Sequence, residues 1–212
     1  MYKSQVQPNR IIELVKWLDD DLLNAITPKL LGNKPNTYTY TKALAESLLI
    51  EESHGLPVAI VRPSIVTAAW REPMRGWVDN INGMTGLMIA SGKGVLRSML
   101  FNSKACSDLI PVDSVINLMI AVAWHTATKS PNNLLVYNCT SGQVNKITWG
   151  EIERIAFPFL LRYPSEQLYR YPGGRFRESK IINNLYCFFD HTIPAYFFDF
   201  FMGLMGRKKM YE

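Results

Sequence analysis

Residues 35–66 read PNTYTYTKALAESLLIEESHGLPVAIVRPSIV, and they decide the fold. Pro35 to His54 has the pattern of a helix, with Gly55 as the stop signal that suits a position just past a last turn. LPVAIV (Leu56 to Val61) follows at once. It is short, rich in β-branched residues, continuously apolar and closed by Arg62-Pro63, so it reads as a strand buried on both faces. A helix that runs straight into a buried strand is the αβ half of an α/β sheet protein.

Working outward, Pro8 to Thr27 carries Ile11, Ile12, Leu14, Val15, Leu18, Leu22 and Leu23 near helical period, with Pro28 as the expected end. Asp19-Asp20-Asp21 then falls on that helix's solvated face. Trp70 to Gly94 holds Pro73, Gly76, Gly83, Gly86, Gly92 and Gly94 and reads as a long irregular segment, a kind of loop that commonly serves function. A helix is expected from Pro111-Val112-Asp113 to about Trp124, then a strand over Leu134 to Cys139. Thr148-Trp149-Gly150-Glu151 has the spacing of a capping box, which starts a helix through Leu161. From Tyr163 onward the composition shifts to aromatics, Arg and Gly, which marks a boundary between residues 1–162 and 163–212.

Composition narrows the function. Over 212 residues, 48% are apolar and 19% charged, enough to build a core and too apolar for a disordered chain. The net charge of +5 is spread along the sequence, which argues against a nucleic-acid stripe. Cys106, Cys139 and Cys187 are far apart without a CxxC, and His54, His125 and His191 have no mutual metal or triad spacing, so neither a disulfide scaffold nor a metal site is implied. MYKSQVQPNR has no apolar leader core, and no run of about 18 apolar residues suggests a spanning helix.

Tyr38-Thr39-Tyr40-Thr41-Lys42 is the main chemical candidate. The i,i+4 spacing puts a phenol and an ammonium on one helix face, about one turn apart. A nearby ammonium favours the phenolate, so such a tyrosine can exchange a proton with a carbonyl or alcohol oxygen. A surface tyrosine beside a solvated lysine has the same spacing, and the pair alone leaves both readings open. The strand that ends in Arg62-Pro63-Ser64-Ile65-Val66 adds weight, because backbone at the carboxyl end of such a strand faces the ligand crevice of an α/β sheet.

These residues carry a family likeness. PNTYTYTKALAE (Pro35 to Glu46), VRPSIVTAAWREPMRGWVDNINGMTGL (Val61 to Leu87) and DLIPVD (Asp108 to Asp113) closely resemble the alcohol-forming fatty acyl-CoA reductases of the extended short-chain dehydrogenase/reductase superfamily. IIELVKWLDDDLLNAITPKLLG (Ile11 to Gly32) and HTIPAYFFDFFMGLMGRKKM (His191 to Met210) extend the likeness over essentially the whole chain.

The resemblance implies the C-terminal portion of a Rossmann-like α/β domain over 1–162, followed by the start of a helical C-terminal domain over 163–212. It implies NADPH-dependent reduction of long-chain fatty acyl-CoA to fatty alcohol with release of CoA. Tyr38 would be the proton donor, Lys42 would hydrogen-bond the nicotinamide ribose, and Pro63, Ser64, Ile65 and Val66 would line the nicotinamide. It also implies an intracellular, membrane-associated enzyme of the peroxisome or endoplasmic reticulum, with a membrane surface and a second copy of the chain left open as partners. Arg71, Arg75, Lys93 and Arg97 either meet CoA phosphates or are ordinary surface charge.

Two features depart from the family pattern. The Gly-rich turn that grips a dinucleotide's phosphates is absent from the sequence, as is the Ser or Thr that assists the tyrosine from an upstream strand. The chain therefore reads as a fragment of a reductase that is inactive alone, or as a truncated non-catalytic paralogue serving as a lipid-surface or dimerisation module. The aromatic tail (Tyr186, Phe188, Phe189, Tyr196, Phe197, Phe198, Phe200, Phe201) either packs on partner helices or lies in a membrane surface, finished by Arg207-Lys208-Lys209.

Overall fold

The computed structural model describes residues 6–129 and 133–205, which form a mixed α/β chain of short, mostly helix-linked strands. The fold is that of a partial Rossmann-like domain. It divides into two compact units, residues 1–62 with 119–137, and residues 63–118 with 138–212. The Arg207-Lys208-Lys209 cluster lies outside the described residues.

The first unit opens with two helices where the sequence suggested one. Helix α1 spans Pro8–Trp17 and α2 spans Asp20–Leu31. The chain breaks at Leu18 because Asp19 acts as an N-cap, its carboxylate accepting the Leu22 amide at 2.8 Å. Asp20 and Asp21 then fill the first turn of α2, where negative charge meets the positive end of the helix dipole. The aspartate run is thus solvated, as expected, and is also the start signal of a second helix. Pro28 does not end α2; it lies inside the helix, which runs on to Leu31 although the proline has no amide to give the carbonyl one turn back.

Helix α3, Thr37–Glu52, matches expectation. Asn36 caps it through the Thr39 amide at 2.9 Å, and α1 packs on it, with Asn9 donating to Glu52 at 3.1 Å. Strand β1 is Ala59–Pro63, shifted towards the C-terminus from the expected 56–61. Residues 53–58 are spent in turns instead, with Gly55 at φ +79° and amides of Leu56 and Val58 bonded to Ser53 and Leu56 carbonyls. Nor is the strand buried on both faces: Ile60 is buried, Ala59, Val61 and Arg62 are half-buried, and Pro63 is exposed. β1 pairs with β5, Leu135–Cys139, in a sheet of two strands among the described residues.

In the second unit, β2 (Ile65–Thr67) runs parallel to β4 (Leu109–Pro111), with Ile65 opposite Leu109. Asp108 adopts φ +41° just before β4. Its carboxylate supports that turn by accepting the amides of Ser141 at 2.8 Å and Gly142 at 3.0 Å, which holds its pKa below the usual carboxylate range. The segment expected to be irregular contains a helix, α4 (Gly83–Gly92), whose 10 residues include three glycines. Helix α5, Val112–Lys129, starts where predicted and runs five residues further than expected.

Strand β3 (Ser98–Leu100) pairs in parallel with β6 (Arg175–Arg177). Helix α6, Trp149–Arg162, has the expected capping box: Glu151 accepts from the Thr148 amide at 2.8 Å, and Thr148 Oγ1 accepts from the Glu151 amide at 3.3 Å. Phe101, Trp149 and Phe176 cluster where β3, α6 and β6 meet, with centroids 4.6 to 6.3 Å apart. Helix α7 (Lys180–Cys187), a π-helical turn (Phe188–Thr192) and α8 (Ile193–Leu204) complete the described chain. No helix among the described residues is long and apolar enough to cross a membrane.

Candidate functional site

Tyr38 lies in the first turn of α3, and its position follows from the cap. Asn36 fixes the helix start, and Thr39 and Thr41 tie back to the Asn36 and Tyr38 carbonyls at 2.9 and 3.0 Å. The phenol points outward, 67% exposed. One turn later the Lys42 ammonium stands 5.9 Å from the centre of the Tyr38 ring, inside the range of a cation–π contact. The structure therefore brings together the pair that the spacing suggested and presents it on an open face.

Lys42 has a second neighbour on its face, Glu46 at i+4, which would compete for the ammonium. Arg62 occupies it instead. The guanidinium grips the carboxylate with both prongs, Nε to Oε1 at 2.7 Å and Nη2 to Oε2. This bidentate bond holds Glu46 below its usual pKa range and ties the end of β1 to α3. The sequence reading missed this clamp, although Glu46 sits four residues after Lys42 and Arg62 closes the expected strand.

Pro63 ends β1 and leads into the second unit, where Ser64, Ile65 and Val66 form the entry to β2. The Ser64 amide donates to the Cys139 carbonyl at 2.9 Å and the Ile65 amide to the Asp108 carbonyl at 3.2 Å. In a parallel ladder with this register, Ile65 turns its amide and carbonyl towards β4, so Val66 turns its own to the opposite edge. Ile65 and Val66 are 41% and 43% exposed. These strand-end residues can therefore meet a ligand with both backbone and side chain.

A second constellation escaped the sequence. The Asp113 carboxylate, in the first turn of α5, accepts three successive amides, from Trp70, Arg71 and Glu72 at 3.0, 2.9 and 3.3 Å. Consecutive amides converging on one point make an anion nest, here filled by the protein's own carboxylate, and they pull its pKa down to about 2. Of the four basic residues flanking the Gly-rich segment, Arg71 stacks on Trp70 at 4.3 Å. Lys93 bonds Gln167 at 3.1 Å, and Arg97 reaches Asp190 at 3.5 Å and the Tyr171 carbonyl. Arg71 and Arg75 ride on the loop that Asp113 holds. Among the described residues no cluster of three or more His, Cys, Asp or Glu could hold a metal ion.

The family model for an NAD-binding domain described as male sterility protein matches residues 1–119, more than half of the chain. Fatty acyl-CoA reductase 1 of Xenopus laevis is 46% identical over 208 residues, 98% of this chain and 40% of that protein. Fatty acyl-CoA reductase 2 of Mus musculus is 47% identical and fatty acyl-CoA reductase 1 of Homo sapiens 44%, with the same coverage. The chain thus spans about 40% of the length of the curated relatives that it matches.

Proposed function

This chain belongs to the male sterility protein family of NAD-binding domains, and on that premise we propose that it carries the proton-donating half of a fatty acyl-CoA reductase site. The reaction is NADPH-dependent reduction of a long-chain acyl thioester to the primary alcohol with release of CoA. The single observation that carries this reading is the Tyr38–Lys42 pair, held one turn apart and exposed on a capped helix. The family supports a nicotinamide cofactor; NADPH in particular is part of the proposal.

The residues present suit such a group. A bound reduced nicotinamide would supply one hydride to the thioester carbon, with CoA leaving as the thiol, and a second one, bound after exchange, would supply the hydride that reduces the aldehyde. Tyr38 gives its phenolic proton to the oxygen that gains negative charge at each stage. Lys42 hydrogen-bonds the ribose and favours the phenolate that is left, because a cation beside it offsets the charge. Glu46 would weaken that effect if it took the ammonium, and the Arg62 clamp keeps its carboxylate occupied. Pro63, Ser64, Ile65 and Val66 line the nicotinamide, with the outward edge of Val66 meeting the carboxamide.

Residues 1–162 form the C-terminal part of the reductase domain in this proposal, and 163–212 the beginning of the family's C-terminal domain. The setting is intracellular and membrane-associated, at the peroxisome or endoplasmic reticulum. The test is a chimera in which the Xenopus laevis relative supplies the rest of its length around residues 1–212. NADPH oxidation that depends on long-chain acyl-CoA, with free CoA released, is expected. A folded chimera that binds NADPH and stays silent would overturn the assignment.

A second reading, a non-catalytic lipid-surface or dimerisation module, is favoured by a specific feature. Phe188, Phe189, Phe197, Phe200 and Phe201 are 52–63% exposed around α8 and the turn before it, far more apolar surface than a lone chain in water usually shows. Flotation with liposomes tests the lipid surface, and a chain that stays at the bottom removes it and leaves dimerisation as the second reading.

A further inference from the structure

The loop held by Asp113 is a built feature. Its ends are tied together, the Ala69 amide to the Trp77 carbonyl at 3.0 Å and the Gly76 amide to the Ala69 carbonyl at 2.8 Å. The three amide bonds to Asp113 fix its first residues against the start of α5. Between loop and helix lies an open cleft of about 450 Å³, within the size range of small-molecule sites. Trp77, Pro73, Val112 and Ile116 supply apolar walls, and Glu72 and Asn117 supply polar groups. Trp77 and Ile116 are 41% and 49% exposed, so within the second unit these walls stay open to solvent.

We propose that this cleft receives the neutral, amide-bearing pantetheine arm of a CoA thioester, with Arg71 and Arg75 meeting the phosphates outside it and Asp113 positioning the loop. The proposal rests on the acyl-CoA reading above. The chemistry of the walls selects the arm over the other parts of the molecule. Glu72 repels a phosphate but accepts an amide N–H, and Asn117 can both donate to and accept from an amide. A bare acyl chain would leave both groups without a polar partner, which binding penalises. The arm's methyl and methylene groups suit Trp77, Pro73 and Ile116. The phosphates fall to the basic side chains, two of which stand on this same tied loop: Arg71 precedes Glu72 by one residue and Arg75 follows it by three.

The full chain is titrated with CoA, with 3′-phospho-ADP (phosphates without the arm) and with pantetheine, following saturation transfer to ligand protons by NMR. CoA should bind about tenfold more tightly than 3′-phospho-ADP, the scale of one or two well-made polar contacts. Transfer should reach the pantetheine methyls, and Asn117→Ala and Trp77→Ala should each remove most of the advantage. Asp113→Asn should weaken CoA binding and speed tryptic cleavage after Arg71 and Arg75, as loss of loop positioning requires. If Asp113→Asn unfolds, Asn117→Ala on the helix surface carries the test. CoA binding equal to that of 3′-phospho-ADP, or unchanged in both cleft variants, overturns the cleft and leaves the acyl-CoA reading standing. A folded chain that binds neither CoA nor pantetheine overturns both.

Discussion

Removing the Arg62 clamp should loosen the helix that carries Tyr38, and the size of the effect follows from its geometry. The gross Coulomb attraction of two charges about 4 Å apart near a surface is about 4 kcal/mol at an effective dielectric of about 20. Most of it is offset by desolvation and by the entropy of fixing an arginine, and water screens the remainder, because the two side chains are 38% and 26% exposed. Exposed pairs retain about 0.2–1 kcal/mol, and bidentate geometry puts this one at the top of that range, about 1 kcal/mol. A cycle of Glu46→Gln, Arg62→Met and the double variant isolates the coupling. Hydrogen exchange of α3 and β1 amides reads it locally, where about 1 kcal/mol is roughly a fivefold change in rate. Glu46's folded pKa lies below its ordinary 4.5, so the contribution should be full above that value and fade as pH falls through the folded one. A coupling indistinguishable from zero, or one unaffected by 1 M salt, would refute the reasoning.

Three further outcomes follow from the second unit. Thr148→Ala should cost about 1 kcal/mol by removing a capping oxygen, while Thr148→Ser should recover most of it, both by urea denaturation. Gly94→Ala should be more damaging than a usual glycine replacement: the residue sits at φ +72°, and an added Cβ would stand 2.3 Å from the Arg170 carbonyl oxygen. A loss no larger than about 1 kcal/mol in the same assay would contradict that placement. His191 Nε2 accepts the Arg97 amide at 3.0 Å, and burial pushes its pKa below the ordinary 6.5. The unfolded chain therefore takes up a proton first, and stability should fall as pH drops from 6.5 through the folded value; His191→Gln should flatten that slope.

Local chemistry was legible in the sequence, and long-range pairing was not. The YxxxK face, the stop after α3 and the Thr148 capping box each act within a turn of helix, where spacing determines contact. The Asp19 cap was hidden because three successive aspartates suit a solvated face as well as a helix start, and here they are both. Pro28 looked like a terminator, yet α2 carries it and continues to Leu31, so the residue type alone did not mark the helix end. Apolar pattern placed β1 too early, since the turn around Gly55 consumes Leu56 to Val58. The Arg62–Glu46 and Asp113 clamps join residues 16 and 41–43 positions apart, beyond any periodicity. For the candidate site, Tyr38 and Lys42 could be named from spacing, whereas Arg62, Asp113 and the cleft beside Trp77 required the fold.

The most direct test of the central claim is Tyr38→Phe in the chimera completed by the Xenopus laevis relative. The substitution removes one hydroxyl from an exposed ring and leaves Lys42 and the cap in place. Turnover of long-chain acyl-CoA should be lost, while NADPH affinity stays within about twofold, a change of under about 0.5 kcal/mol. Turnover that survives with the phenylalanine in place would contradict the account, because the proton would then come from another group.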